Sequence, residues 1–324
     1  MSTISRLRDV TLFAPNNAAL EEPGVQKILQ DKERVKEILN LHYVKERLPL
    51  DKIKNKSVSQ LLPNLLKGSM AHQVPTAADR KKLYFNVVQE ASGNQVVTVE
   101  GGGVNATMVM ANIAATNGLI HIIDRVLGVP YTTVLDKLRT DPMLNSTYFL
   151  GQRQGFNDQL GDTTKRFTYF APHDYAWNIA ALRNPSASKK IFMTEFSYHT
   201  KQILERHLVI ADEAYTMAKL KEMKPNDTIV LPAARDSLKL RVREYSENEK
   251  YDENMIRPET FGYQIEWKGN WIRVFRPDVE CTNGIIHVID AVLMKESDVW
   301  VTGTASLTSL APHLIMILIA KWLL

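Results

Sequence analysis

Apolar and polar positions along the chain fall into two series that repeat each other. Val10-Thr11-Leu12-Phe13 alternates apolar and polar residues and runs into Ala14-Pro15-Asn16. This predicts a short strand that stops at proline, which has no N–H to pair, followed by a helix capped by Asn16. Phe167-Thr168-Tyr169-Phe170-Ala171-Pro172 repeats the pattern, with Asp174 placed to cap. In the first series, Val35, Ile38, Leu39, Leu41 and Tyr43 recur near the 3.6 period and predict a helix over 31–48. Residues 58–66 read as a second short helix or turn. The period then changes to two, predicting strands over 83–88, 95–99 and 105–110, broken at Ser92-Gly93-Asn94 and Gly101-Gly102-Gly103. The second series keeps this order. It has helices over 186–208 and 212–223 and strands over 228–231, 238–243, 261–267 and 271–275, with a charged loop over 246–257.

Each series closes on the same phrase. Asn117-Gly118-Leu119-Ile120-His121-Ile122-Ile123-Asp124 returns as Asn283-Gly284-Ile285-Ile286-His287-Val288-Ile289-Asp290, preceded by Thr116 and Thr282. The offset, 283 − 117 = 166 residues, is the length of one folding unit. Asn-Gly predicts a tight turn into a last strand, glycine supplying a positive φ. Before Phe167 the second series has a further apolar stretch, 133–160, that reads as two short helices around Asp141-Pro142. Before Phe13 there is almost nothing, so the first unit reads as one whose N-terminal helices are missing.

Composition changes this picture little. Of 324 residues, 44% are hydrophobic and 23% charged, which suits two globular units, each with its own core. A net charge of +4, with Lys and Arg interspersed among Asp and Glu, argues against a nucleic-acid partner. The single cysteine, Cys281, excludes an intrachain disulfide and by itself favours a reducing compartment; its counterpart is Ala115, so it reads as a small core position. Sequons stand at Asn55, Asn105, Asn145 and Asn226 and mark glycosylation candidates. At the end of the chain, small and polar residues precede an apolar run too short to span a bilayer. That is the pattern of a glycolipid-anchor signal, with Gly303 or Ser297 as the attachment residue. An amphipathic terminal helix docked on the protein is the other reading of this stretch.

His121 and His287 each stand three residues before an aspartate. On a strand these positions point to opposite faces, so the pair cannot converge on a metal ion. The histidines read as satisfied core residues and the aspartates as acceptors of backbone N–H groups in the next turn. The glycine triplet is followed by neither a helix nor Lys-Ser/Thr and reads as a turn, not a phosphate cradle. With no nucleophile elbow or His/Cys cluster elsewhere, the chain offers no catalytic residue, metal site or cofactor.

The Thr-x-Phe-Ala-Pro box and the downstream Asn-Gly-x-Ile-His-x-Ile-Asp box, both present twice in the same order, resemble the signature boxes of fasciclin-like domains. The resemblance reaches to about residue 296. It implies an α+β fold of two tandem domains, 1–131 and 132–296, each a twisted β-sandwich wedge flanked by α-helices, followed by the tail 297–324. It also implies an extracellular, lipid-anchored or secreted protein of neural cell adhesion, self-associating between apposed cells, and so reverses the compartment that the lone cysteine suggests. The alternative it carries is a ligand for integrins. The family's Tyr-His motif corresponds to His42-Tyr43, in reversed order, and to Arg206-His207-Leu208 in the second copy. A second integrin-linked motif, an acid before an aliphatic residue, corresponds to Asp278-Val279; the first copy has Asn112-Ile113 and lacks the acid.

Overall fold

A computed structural model describes residues 7–58, 72–78, 80–89, 93–225, 227–246 and 261–300. The readings placed on 59–66, on most of the 246–257 loop, on Asn226 and on Gly303 lie outside them.

The two copies build the same sheet. In the first, β1 (Val10–Pro15), β2 (Tyr43–Val44), β3 (His72–Pro75), β4 (Lys82–Gln89), β5 (Gln95–Gly101), β6 (Val104–Ala115) and β7 (Gly118–Ile123) lie in the order β2-β1-β7-β6-β5-β4-β3. In the second, β8 (Arg166–Pro172), β9 (Leu208–Ala211), β10 (Ile229–Pro232), β11 (Ser237–Ser246), β12 (Phe261–Trp267), β13 (Asn270–Cys281) and β14 (Gly284–Ile289) follow the order β9-β8-β14-β13-β12-β11-β10. The two recurring phrases are therefore neighbours: β1 runs parallel to β7 with Phe13 opposite His121, and β8 parallel to β14 with Phe170 opposite His287. Their adjacency explains the invariant glycine of the phrase. The tight turns are there, at Thr116-Asn117 and Thr282-Asn283, but neither Gly118 nor Gly284 has the positive φ expected of it. A Cβ on Gly118 would instead collide with the carbonyl oxygen of Val10, and one on Gly284 with that of Phe167.

Each sheet folds back on itself. Phe13 on β1 packs against Phe85 on β4 with ring centroids 5.5 Å apart, although three strands separate them in the sheet. The bend is made by two register shifts in β6 against β7, and by two matching ones in β13 against β14. The inward residues form one core per sandwich, including Phe13, Val44, Phe85, Val97 and Ile123 in the first and Phe170, Leu231, Leu240, Ile265 and Ile289 in the second.

Helices lie around these wedges, shorter than the pattern predicts. The 31–48 prediction resolves into α3 (Lys32–Leu41), capped by Asp31, and then β2. Upstream are α1 (Asn17–Leu20), capped by Asn16 as read, and α2 (Pro23–Ile28); α4 (Leu50–Val58) follows β2. In the second copy, 133–160 forms α5 (Val134–Thr140), α6 (Asn145–Gln152) and a 3-10 turn (Asn157–Gly161). Residues 186–208 break into α8 (Pro185–Ile191), a 3-10 turn (Thr194–Phe196) and α9 (Ser197–His207), so Leu208 onward becomes strand β9. The helix α7 (Asp174–Arg183) is capped by His173, whose Nδ1 accepts from the Tyr175 N–H at 3.1 Å. Asp174, the residue the sequence nominates, instead accepts from the Ser146 N–H at 2.7 Å. The last α-helix among the described residues, α10 (Met217–Met223), precedes β10. Among the described residues no helix is long and apolar enough to cross a membrane.

Candidate functional site

The motif residues of both copies lie where β6 and β13 bulge. Asp278 has φ +54° and Asn112 φ +60°, a left-handed conformation in which Asp and Asn are among the few comfortable side chains. The Asp278 N–H donates to Nδ1 of His287 at 3.2 Å, and the Nε2–H of that ring donates to the Tyr215 carbonyl at 2.9 Å. The first copy is the same: Asn112 N–H to His121 Nδ1 at 3.2 Å, and Nε2–H to the Leu48 carbonyl at 2.8 Å. Both rings are fully buried; His121 stacks on Phe13 and His287 packs at a tilt against Phe170. The side-chain oxygens also match. Asp278 Oδ1 accepts from the Met217 N–H at 2.8 Å, and Asn112 Oδ1 from the Leu50 N–H at 2.9 Å, each the first residue of a helix. An amide oxygen and a carboxylate oxygen do the same work here, so the missing acid of the first copy costs the fold nothing.

His42 and His207 also form a matched pair. Nδ1–H of His42 donates to the Ile38 carbonyl at 2.7 Å and Nε2 accepts from the Leu127 N–H at 3.0 Å. In His207 the partners are the Ile203 carbonyl at 2.8 Å and the Leu293 N–H at 2.9 Å. Each ring ties the end of a helix to the loop leaving the last strand. Burial disfavours the imidazolium at these four rings, pushing the pKa of His42, His121 and His287 below 6.5 and that of His207 down to about 3. Tyr43 is 8% exposed and Val279 2%. Of the four nominated partner-binding residues, Asp278 alone presents side-chain surface, about a quarter of it. The two phrase aspartates diverge: Asp124 accepts from the Thr107 N–H at 2.6 Å, whereas Asp290 accepts from the His173 Nε2–H at 2.9 Å, not from a backbone group. Cys281 is buried, which pushes its thiol pKa up to about 12, as befits a core position.

Asp278 faces a cleft between the two sheets, lined also by Arg80, Tyr84, Arg273, Gly102 and Gly103. The sequence missed what lies beneath. Arg276, 2% exposed, donates from Nη1 to Glu100 Oε2 of the first copy at 2.7 Å and from Nη2 to Asp141 Oδ2 at 2.5 Å. Lys137 Nζ stands 3.3 Å from Glu100 Oε2 and 3.8 Å from Asp141 Oδ2. Burial works against the Asp141 carboxylate, but the charges of Arg276 and then Lys137 outweigh it and hold its pKa below the usual range. Around this centre, the tilted rings of Tyr84 and Phe275 pack with centroids 6.3 Å apart, Arg34 pairs with Glu280 at 3.0 Å and Arg80 with Glu244 at 2.7 Å. Gly103, read as part of a turn, is in one; it also lies so close to the Glu280 backbone that a Cβ could not fit. The readable signal was Arg276 itself, a cation where the strand pattern calls for an inward residue and where the first copy has Met110.

Among the described residues, no three His, Cys, Asp or Glu side chains are grouped to hold a metal ion. Residues 1–130 and 142–295 each match the Fasciclin domain. The whole chain aligns with Fasciclin-1 of Schistocerca americana at 50% identity and with Fasciclin-1 of Drosophila melanogaster at 47%, covering 46% and 47% of those proteins. Periostin of Homo sapiens is 26% identical over 89% of the chain and 28% of its own length. The solved structure of a FAS1 domain pair from the insect cell adhesion molecule fasciclin I superposes with a TM-score of 0.79 at 48% identity, covering 92% of this chain and 93% of that one. The chain spans less than half the length of the two insect relatives.

Proposed function

Because the chain belongs to the fasciclin domain family, we propose that it is the adhesive part of a cell-surface protein of the fasciclin I type, not an enzyme, and that it self-associates between apposed cells. The observation that carries this reading is 50% identity to an insect Fasciclin-1 along the whole chain, through both domains and the contact between them. We take 1–131 and 132–296 as the two domains and 297–324 as the tail. The exposed positions of Asn55, Asn105 and Asn145 support their use as glycan sites on the outer face of the plasma membrane. For the glycolipid anchor the fold favours Gly303 over Ser297. Cleavage after Ser297 would remove Val299, 2% exposed, and Asp298, which takes two hydrogen bonds from Arg206 at 2.7 and 2.8 Å.

Cells transfected with the full-length protein should aggregate with one another and not with untransfected cells. Dispersed cells, together with capture of the protein by an integrin-bearing line, would overturn self-association. A phospholipase specific for glycolipid anchors should release the protein from those cells. The integrin reading rests on the exposed quarter of Asp278, and its test is Asp278→Asn. Asparagine keeps the bond to Met217 N–H, as Asn112 does in the first copy, and removes only the charge. Loss of integrin-dependent attachment by that variant would favour the integrin reading; unchanged attachment would remove it.

A further inference from the structure

The second sheet carries an outer face that its counterpart lacks. Leu238, Leu240 and Val242 of β11 are core residues, so alternation turns Lys239, Arg241 and Arg243 outward. Strand register puts Trp271 and Arg273 on that face: Arg241 opposes Glu266, which opposes Trp271, and Arg243 opposes Gln264, which opposes Arg273. Trp271 is 37% exposed, with the Arg243 guanidinium 4.1 Å and the Arg241 guanidinium 5.7 Å from its ring centre. Glu266 pairs with Arg241. Arg243 Nε donates to the neutral Gln264 Oε1 at 2.9 Å, and Arg273 has a buried Nε with no hydrogen-bond partner among the described residues.

The face continues past Lys239 and Arg241 into a groove of about 420 Å³ whose walls add Lys268 and Lys295. The neighbouring Lys295 lowers the pKa of Lys268. The corresponding strands of the first sheet turn out Tyr84 and Asn86, opposite Glu100 and Thr98, so the cationic face is no general property of the repeat.

We propose that this face and groove bind a sulfated polysaccharide of the cell surface. The inference rests on the extracellular reading above. Successive outward cations stand about 7 Å apart along β11, and Arg273 stands about 10 Å from Arg243 across Gln264 of the intervening strand, a ladder suited to repeated anionic groups on one linear chain. Arginine's planar fork matches tetrahedral oxyanions. A membrane is the poorer fit, since anionic lipids concentrate on the cytoplasmic leaflet. Single-stranded nucleic acid would need an open aromatic face for its bases, and here Arg243 covers Trp271.

The test is retention of the whole chain on immobilised heparin, with residues 247–260, acidic in sequence and outside the described residues, left in place. Wild type should bind, and binding should weaken with salt as counterions are released. The variant Lys239→Thr/Arg243→Thr/Arg273→Thr should bind at least about tenfold more weakly, with a shallower salt dependence. A control with the same loss of charge, Lys27→Gln/Lys32→Gln/Lys36→Gln on the exposed side of the first domain, should stay within about twofold. Thermal unfolding checks that each variant is folded; if the triple variant is not, Lys239→Thr alone should still weaken binding about threefold. No wild-type retention, equal losses in test and control, equal binding to desulfated heparin, or tighter binding to single-stranded DNA or anionic vesicles would each overturn the proposal. Failure of cell aggregation with heparin retention intact would sink the self-adhesion reading and leave this one standing.

Discussion

Ile286 and Val288 of the second copy are completely buried beneath α5, α6 and the following 3-10 turn, while their counterparts Ile120 and Ile122 remain half-buried. A fully buried aliphatic side chain contributes about 1.5–3 kcal/mol, so the outer face of the first sheet realises only part of what the second does. Inside the sandwiches the copies are nearly interchangeable: the same bulges, the same two histidine struts, the same glycine under a neighbouring carbonyl. The comparison separates two kinds of constraint. Positions whose polar groups are buried and paired recur through both copies, because an unmade bond there costs about 1–3 kcal/mol. Positions outside these cores diverge, Met110 to Arg276 at the domain contact and Asn86 to a basic ladder on the outer face, because the neighbouring domain or water satisfies them.

The sharpest way to break the comparison is to make the second copy resemble the first at the domain contact. Arg276→Met leaves Glu100 and Asp141 buried with only Lys137 between them, and should destabilise the pair by about 3–5 kcal/mol in urea unfolding. A loss below about 1 kcal/mol would mean that the network is poorly formed in solution. The phrase asparagines should come next. Asn283, fully buried, accepts from the Val134 N–H and donates to the Leu160 and Asp162 carbonyls, whereas Asn117 donates to the Leu7 carbonyl in a more open setting. Asn283→Ala should therefore cost about 1–3 kcal/mol and Asn117→Ala clearly less, and equal losses would remove the asymmetry.

Acid should act on both copies alike. His42, His121, His207 and His287 have pKa values lowered from 6.5, so between pH 6.5 and 5 the unfolded chain binds more protons than the folded one. Stability should accordingly fall as pH is lowered, by up to about 1.4 kcal/mol per pH unit for each such histidine. Denaturation midpoints that stay flat across that window would contradict neutral, buried rings. The smallest effect should be that of Asp278→Asn on folding. With Asn112 as natural precedent, the change in stability should stay within about 0.5 kcal/mol. A larger loss would show that the two bulges are not equivalent.

Much of this was legible in the residues. The repeat, the strand alternation on 83–88 and 238–243, the cap at Asn16 and the core character of His121 and His287 follow from local periodicity and from the rule that buried polar groups are paired. The helix over 31–48 was misjudged because Tyr43 and Val44 fit a helical stripe and a strand equally well, and β1 decided the matter by pairing with them. The same competition moved Leu208–Ala211 from helix α9 to strand β9.

What the sequence determined by itself is therefore a fold unit written twice, with its turns, core faces and family. What only the tertiary structure decided is which distant residues meet: that the two signature phrases are adjacent parallel strands, that glycine is demanded there by a neighbour's carbonyl and not by its own φ, and that Arg276 reaches Glu100 across 176 residues of chain. Local pattern records the environment a side chain needs, apolar or polar, buried or wet. The partner that supplies that environment is chosen by packing, and packing leaves no periodic trace in the chain.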